Sequence, residues 1–71
     1  MPVQIKSPMS GTLITLSIAI GNQVQEGQQV AVIESMKMEI PVEADASGQV
    51  SALHAAPGDF IEEGDPLISL A

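Results

Sequence analysis

The stretch SGTLITLSIAIGNQVQEG, residues 10–27, returns as SGQVSALHAAPGDFIEEG, residues 47–64. Displacing the chain by 37 residues superposes all six glycines without a gap: Gly11 on Gly48, Gly21 on Gly58 and Gly27 on Gly64. Ser10 and Ser47, Leu16 and Leu53, Ala19 and Ala56, and Glu26 and Glu63 coincide as well, and Asn22 meets Asp59, Val24 meets Ile61 and Val30 meets Leu67. Such self-similarity is the mark of a duplicated structural unit. Each copy carries Ser-Gly, then Gly-Asn or Gly-Asp, then Glu-Gly, and glycine takes positive φ in a turn without steric cost. The segments between these turns read as strands.

Working outward, Val3 and Ile5 alternate with Gln4 and Lys6, and Ile40, Val42 and Ala44 alternate with Glu39, Pro41 and Glu43, the period of a half-buried strand. In LITLSIAI the alternation predicts one face made of Ile14, Leu16, Ile18 and Ile20. The second copy has Ser51 and Pro57 where Ile14 and Ile20 stand, which predicts a core face partly lost or shifted there. Pro66 fits an edge or the first residue of a strand. Phe60, the one aromatic residue, is expected to plug the core, and His54 to lie on a strand, partly exposed. Seven or eight short strands in two related halves predict an all-β barrel or sandwich, each half covering the apolar face of the other.

The chain is expected to form a single domain over residues 1–71, with halves 1–34 and 38–71; only Ser35, Met36 and Lys37 then fall outside the repeat. The 37-residue displacement carries Lys37 just beyond either terminus, so a pseudo-twofold places it at the end of the molecule opposite both chain ends. A strand-like run ends at Glu34 and another begins near Glu39, making the joint a hairpin, though without the Gly or Asn usual in a two-residue turn.

Composition limits what such a joint can do. Seventy-one residues bury only roughly 60% of the surface of the unfolded chain, leaving little room for an enclosed active site. With no cysteine, neither a disulfide nor a thiolate metal site reinforces the core. Two basic against nine acidic side chains give a formal charge of −7, which repels phosphate backbones and anionic headgroups and argues against nucleic acid and membrane partners. The N-terminus lacks the apolar stretch of a signal peptide, so a cytoplasmic protein is the simplest expectation.

His54 has no Ser or Asp at a spacing that marks a nucleophilic triad, and the acidic run Glu62-Glu63-Gly64-Asp65 lacks the alternating ligands of a calcium loop. No catalytic residue and no metal site is expected. Lys6 reads as an ordinary surface cation. Lys37 is different: the sequence ESMKMEI, residues 34–40, sets one of only two lysines between two methionines, flexible and polarizable side chains suited to a partner's pocket unless they fold back to cap the barrel. A lysine amine, with an unperturbed pKa of about 10.4, is a poor nucleophile at neutral pH without a base beside it. Its charged neighbours, Glu34 and Glu39, are carboxylates and no buried base flanks it, so Lys37 reads as an attachment point activated by another enzyme.

Glu34-Ser35-Met36-Lys37-Met38-Glu39 resembles the attachment motif of biotinyl domains, in which Ala-Met-Lys-Met is usual and Ser35 replaces the alanine. From about Val3 to Leu70 the duplicated pattern is similar to the biotinyl/lipoyl fold, a flattened barrel-sandwich of two four-stranded antiparallel sheets with internal pseudo-twofold symmetry. The gapless alignment of the halves matches members without the extra thumb.

The resemblance implies a non-catalytic biotin carboxyl carrier. Lys37 would receive biotin from a biotin protein ligase, and Glu34, Ser35, Met36, Met38 and Glu39 would serve ligase or partner recognition. The arm would carry CO₂, loaded by a biotin carboxylase from bicarbonate with ATP, to a carboxyltransferase acting on an acyl-CoA or keto acid. The carrier would be a monomer in isolation, either a small free-standing attachment protein or a domain of a longer carboxylase. Lipoate on Lys37 is the alternative, although lipoyl domains usually have Asp before the lysine and Ala or Val after it. An unmodified binding or assembly module is the second alternative.

Overall fold

Four turns repeat one construction, and they set the strand boundaries. In Ala19–Asn22, Gln25–Gln28, Ala56–Asp59 and Glu62–Asp65 the fourth residue's N–H donates to the first residue's carbonyl at 3.0 Å. The third residue is a glycine at φ between 89° and 99°, the geometry of a type II turn. The fourth side chain then turns back: Asn22, Gln28, Asp59 and Asp65 each accept from the first residue's N–H at 2.9–3.0 Å. Ser10 and Ser47 are bound across the repeat, Ser47 Oγ accepting from Glu26 N and Ser10 Oγ from Glu63 N. The repeated glycines and serines thus stand for repeated hydrogen bonds.

The computed structural model describes residues 3–71; Met1 and Pro2, part of the expected domain 1–71, lie outside the described residues. Between the turns run β1 (Val3–Lys6), β2 (Gly11–Leu16), β3 (Gln23–Val24), β4 (Gln29–Ser35), β5 (Met38–Glu43), β6 (Gly48–Leu53), β7 (Phe60–Ile61) and β8 (Pro66–Leu70). Pro66 is the first residue of β8, where its missing N–H costs no ladder bond. The strands form two four-stranded antiparallel sheets, β1-β8-β6-β3 and β5-β4-β2-β7, and the described residues contain no helix. Exchanging each strand for its mate 37 residues away converts one sheet order into the other, so the pseudo-twofold swaps the sheets.

The halves do not pack face on face as expected. The pairs β1–β8, β2–β7, β3–β6 and β4–β5 each join one half to the other, and only β2–β4 and β6–β8 stay within a half. Neither half therefore possesses a sheet of its own.

The core obeys the duplication closely. Ile5 and Val42, Leu13 and Val50, Val24 and Ile61, Val30 and Leu67, Ala31 and Ile68, and Ile33 and Leu70 are all buried. Each pair is related by the 37-residue displacement. Ala44 is mated with Ser7, the one buried polar side chain among the described residues, whose hydroxyl donates to the Met9 carbonyl at 2.5 Å.

This pattern corrects three expectations. A bulge between Leu13 and Thr15 shifts the register of β2 against β4. Leu13 consequently points inward, while Ile14 and Ile20 are exposed. Their mates Ser51 and Pro57 are exposed too, so the second copy loses no core residue at those two positions. Phe60 is 68% exposed, because alternation in the two-residue β7 gives the inward position to Ile61. His54 lies just past the end of β6 and is exposed.

Gly11 and Gly48 are required for a different reason from the turn glycines: a Cβ on Gly11 would press on the Glu34 carbonyl oxygen and lie 2.7 Å from Ile33 Cγ2. One on Gly48 would meet the Ala71 oxygen at 3.0 Å. At Gly11 the neighbouring strand leaves no room for a side chain, whereas at Gly48 the neighbour would have to give by a few tenths of an ångström.

Candidate functional site

Strands β4 and β5 form the hairpin at the joint of the repeat. Their register runs from Gln29 opposite Glu43 to Ser35 opposite Met38, leaving Met36 and Lys37 as a two-residue connection. Both central residues have positive φ, 53° at Met36 and 65° at Lys37, as a type I′ turn demands, and this is the turn whose twist matches the flanking strands. Asn-Gly is the pair that adopts it readily. An L-residue with a longer side chain costs about 1–2 kcal/mol there, so the hairpin holds its lysine in a conformation that local preference opposes. These are the only non-glycine residues at positive φ among those described.

Every residue singled out at the tip is brought together. Met36 is 92% exposed and Met38 65%, which overturns the possibility that either folds back to cap the barrel. Lys37 is exposed, so its amine stands open to an approaching protein. Glu34 and Glu39 face each other across the hairpin, both exposed, and Ser35 is half-buried at the closing pair. Like charges directly opposite in a ladder are mildly destabilising. At the image of this site Val3 pairs with Leu70 as Ile40 pairs with Ile33.

Two shallow clefts lie elsewhere. One, of about 350 Å³, is lined by His54, Ala55, Asp59, Phe60, Ile61, Asp65 and Pro66. The other, of about 340 Å³, lies between the edge strands at Ile5, Lys6, Pro41 and Glu43. Neither includes Lys37. Folding also brings His54 Nε2 within 2.6 Å of Ser69 Oγ, a contact between residues 15 apart that spacing did not suggest. Among the described residues no carboxylate hydrogen-bonds to His54, so this pair lacks the third group that orients a triad histidine. Among the described residues no group of three or more His, Cys, Asp or Glu side chains is placed to hold a metal, and no helix is long and apolar enough to cross a membrane.

A protein-family model described as "Biotin-requiring enzyme" (Biotin_lipoyl) matches residues 3–70. The chain belongs to this biotin/lipoyl family. The biotin/lipoyl attachment protein of Bacillus subtilis (strain 168) is 48% identical over 63 residues, covering 89% of this chain and 86% of its own length. The mitochondrial propionyl-CoA carboxylase alpha chain of Homo sapiens is 41% identical over 66 residues, and the match spans 93% of this chain but only 9% of that one. Among solved structures, the urea carboxylase of Kluyveromyces lactis superposes on all of this chain with a TM-score of 0.90 at 31% identity, over 6% of its length. The chain thus corresponds to nearly the whole of one relative and to a small part of much longer carboxylases. The biotin/lipoyl family fold, with two four-stranded sheets related by a pseudo-twofold, is the architecture described above.

Proposed function

We propose that this chain is the non-catalytic carrier of a biotin-dependent carboxylase, with biotin joined as an amide to Lys37 by a biotin protein ligase. The chief support is the turn at Met36 and Lys37, which presents one amine between two exposed methionines at the end of a hairpin. Residues 1–71 then act as one attachment unit, halves 1–34 and 38–71 meeting at Ser35, Met36 and Lys37. The tip fits a covalently bound group, since Lys37 is exposed. When attached, biotin supplies a ureido nitrogen that accepts CO₂.

The contribution of the protein is to hold that arm. Acylation removes the charge of Lys37 and makes the formal charge one unit more negative than −7, leaving an uncharged arm that an apolar pocket accepts at low cost. The β-hairpin keeps the arm near both partners, the biotin carboxylase and the carboxyltransferase, at roughly millimolar effective concentration. Such a carrier works alongside its carboxylase subunits, and the cytoplasm is the compartment we assign to it.

Lipoate on the same lysine is the second reading, favoured by the name of the Bacillus subtilis relative, which covers both groups. Incubation with a biotin protein ligase plus biotin and ATP, and separately with a lipoate ligase plus lipoate and ATP, followed by intact-mass measurement, separates the two. We expect one biotinyl amide on the wild type and none on Lys37→Arg. Addition of lipoate alone would establish the second reading, and no addition by either ligase, with partner binding kept by Lys37→Arg, would make the domain an unmodified binding module.

A further inference from the structure

The duplication supplies an internal control, because each outward-facing residue of one sheet has a mate at the same place on the other. On the sheet β5-β4-β2-β7 a lateral row runs Glu39, Glu34, Thr12, Phe60, read from the pairs Glu34–Glu39, Thr12–Glu34 and Thr12–Phe60. Behind it stand Pro41, Val32 and Thr15 with the bulged Ile14 beside it, and at the far end of β5 stands Glu43. The mates of Phe60, Ile14, Val32 and Pro41 on the other sheet are Gln23, Ser51, Ser69 and Gln4. The mates of Glu34 and Glu43 are Ala71 and Lys6.

One outer face is therefore apolar at Phe60, Ile14, Val32 and Pro41 and acidic at Glu34 and Glu43, where its image is polar at the first four and, at Lys6, basic; Thr15 and its mate Ala52 alone run the other way. Folding does not explain the difference. The two faces cover the same core with the same ladders, and Phe60 and Ile14 remain 68% and 37% exposed. The apolar and acidic face is also the one continuous with the Lys37 hairpin, whose two strands belong to that sheet.

Resting on the reading of Lys37 as an acylation site, we propose that this outer face, centred on Phe60 and Ile14 and flanked by Glu34 and Glu39, is a docking surface for the enzyme that acylates Lys37. Its counterpart is an apolar depression rimmed by lysine or arginine side chains. The charge favours a basic rim, since three carboxylates edge the face and the chain carries −7. Geometry selects the acylating enzyme over a client of the loaded arm. A lysine side chain is only four carbons long, so the enzyme's own active site must lie against the hairpin tip and its footprint must cover the ground around it. Phe60 lies three strand spacings, roughly 14 Å, across from Glu39, within the radius of roughly 16 Å of a standard interface patch of about 800 Å². Aromatic side chains, phenylalanine among them, are enriched at such interfaces.

The twofold mates provide the variants. Phe60→Gln with Ile14→Ser gives this face the residues of its image, and Gln23→Ala with Ser51→Ala alters the image face as a control. Initial rates of Lys37 acylation are measured on the full chain with purified biotin protein ligase, or with lipoate ligase if only that one acts on the wild type. We expect KM for the first variant to rise about tenfold with kcat unchanged, the control to stay within twofold, and the midpoint of urea unfolding to hold in both.

A KM within twofold of wild type would overturn the proposal, as would an equal rise in the control, or a defect confined to turnover with carboxylase subunits. Should the double variant unfold more easily, Phe60→Gln alone decides by the same measure. A wild type that neither ligase acylates is the distinct failure, which removes the functional reading and this surface with it.

Discussion

Four turns of this protein and a fifth solve the same steric problem in opposite ways. At Gly21, Gly27, Gly58 and Gly64 a positive φ is taken by the residue that accepts it freely, and a side chain from the next position ties the turn shut. At the hairpin the same region of conformational space is occupied by Met36 and Lys37, without a glycine and with both side chains in solvent. The first four turns are built for stability; the fifth gives up local preference to hold a particular pair of side chains outward. Positive φ outside glycine, confined among the described residues to one exposed tip, is a departure from local rules of the kind expected where function lies.

The comparison breaks most visibly if the fifth turn is made like an ordinary hairpin. Met36→Asn together with Lys37→Gly should abolish attachment completely, read as an intact mass without addition, while raising the free energy of unfolding in urea by about 1–2 kcal/mol. A double variant no more stable than wild type would mean that the turn carries no strain. In the other direction, Gly58→Ala places a Cβ at φ +99° where nothing lies within 4 Å, so only the backbone term is felt. It should cost about 1–2 kcal/mol by the same denaturation, with acylation of Lys37 preserved. The smallest effect concerns the base of the hairpin: Glu39→Gln relieves the like-charge pair with Glu34 and should stabilise by about 0.2–1 kcal/mol at low ionic strength. That gain should shrink at 1 M salt, where the Debye length falls to about 3 Å; a gain indifferent to salt would point to packing instead.

Within the candidate site, legibility followed the range of the interactions involved. Lys37 stood out because the tripeptide Ser35-Met36-Lys37 alone escapes a gapless duplication. The joint was a hairpin because strand-like runs stop on either side of it. The exposure of Met36 and Met38 was not readable, since methionine suits both a core gap and a contact surface. Phe60 was misplaced by its hydrophobicity, although its mate Gln23 held the correct answer: a position polar in one copy of a duplicated strand faces outward in both. Ile14 and Ser51 teach the same lesson, because a bulge alters the parity of a strand without leaving a mark in one copy taken alone.

By itself the amino-acid sequence determined the duplication, the strand punctuation and the singular lysine at the midpoint. All three depend on local chemistry, on where glycine is needed, where apolar residues alternate and where the pattern lapses. Only the tertiary structure decided that each sheet takes strands from both halves and that one outer face differs from its image. The physical reason is that alternation specifies which side of a strand is buried but is silent about its neighbour. That choice is made by backbone pairing between segments far apart in the chain, as when β1 finds β8 and β2 finds β7.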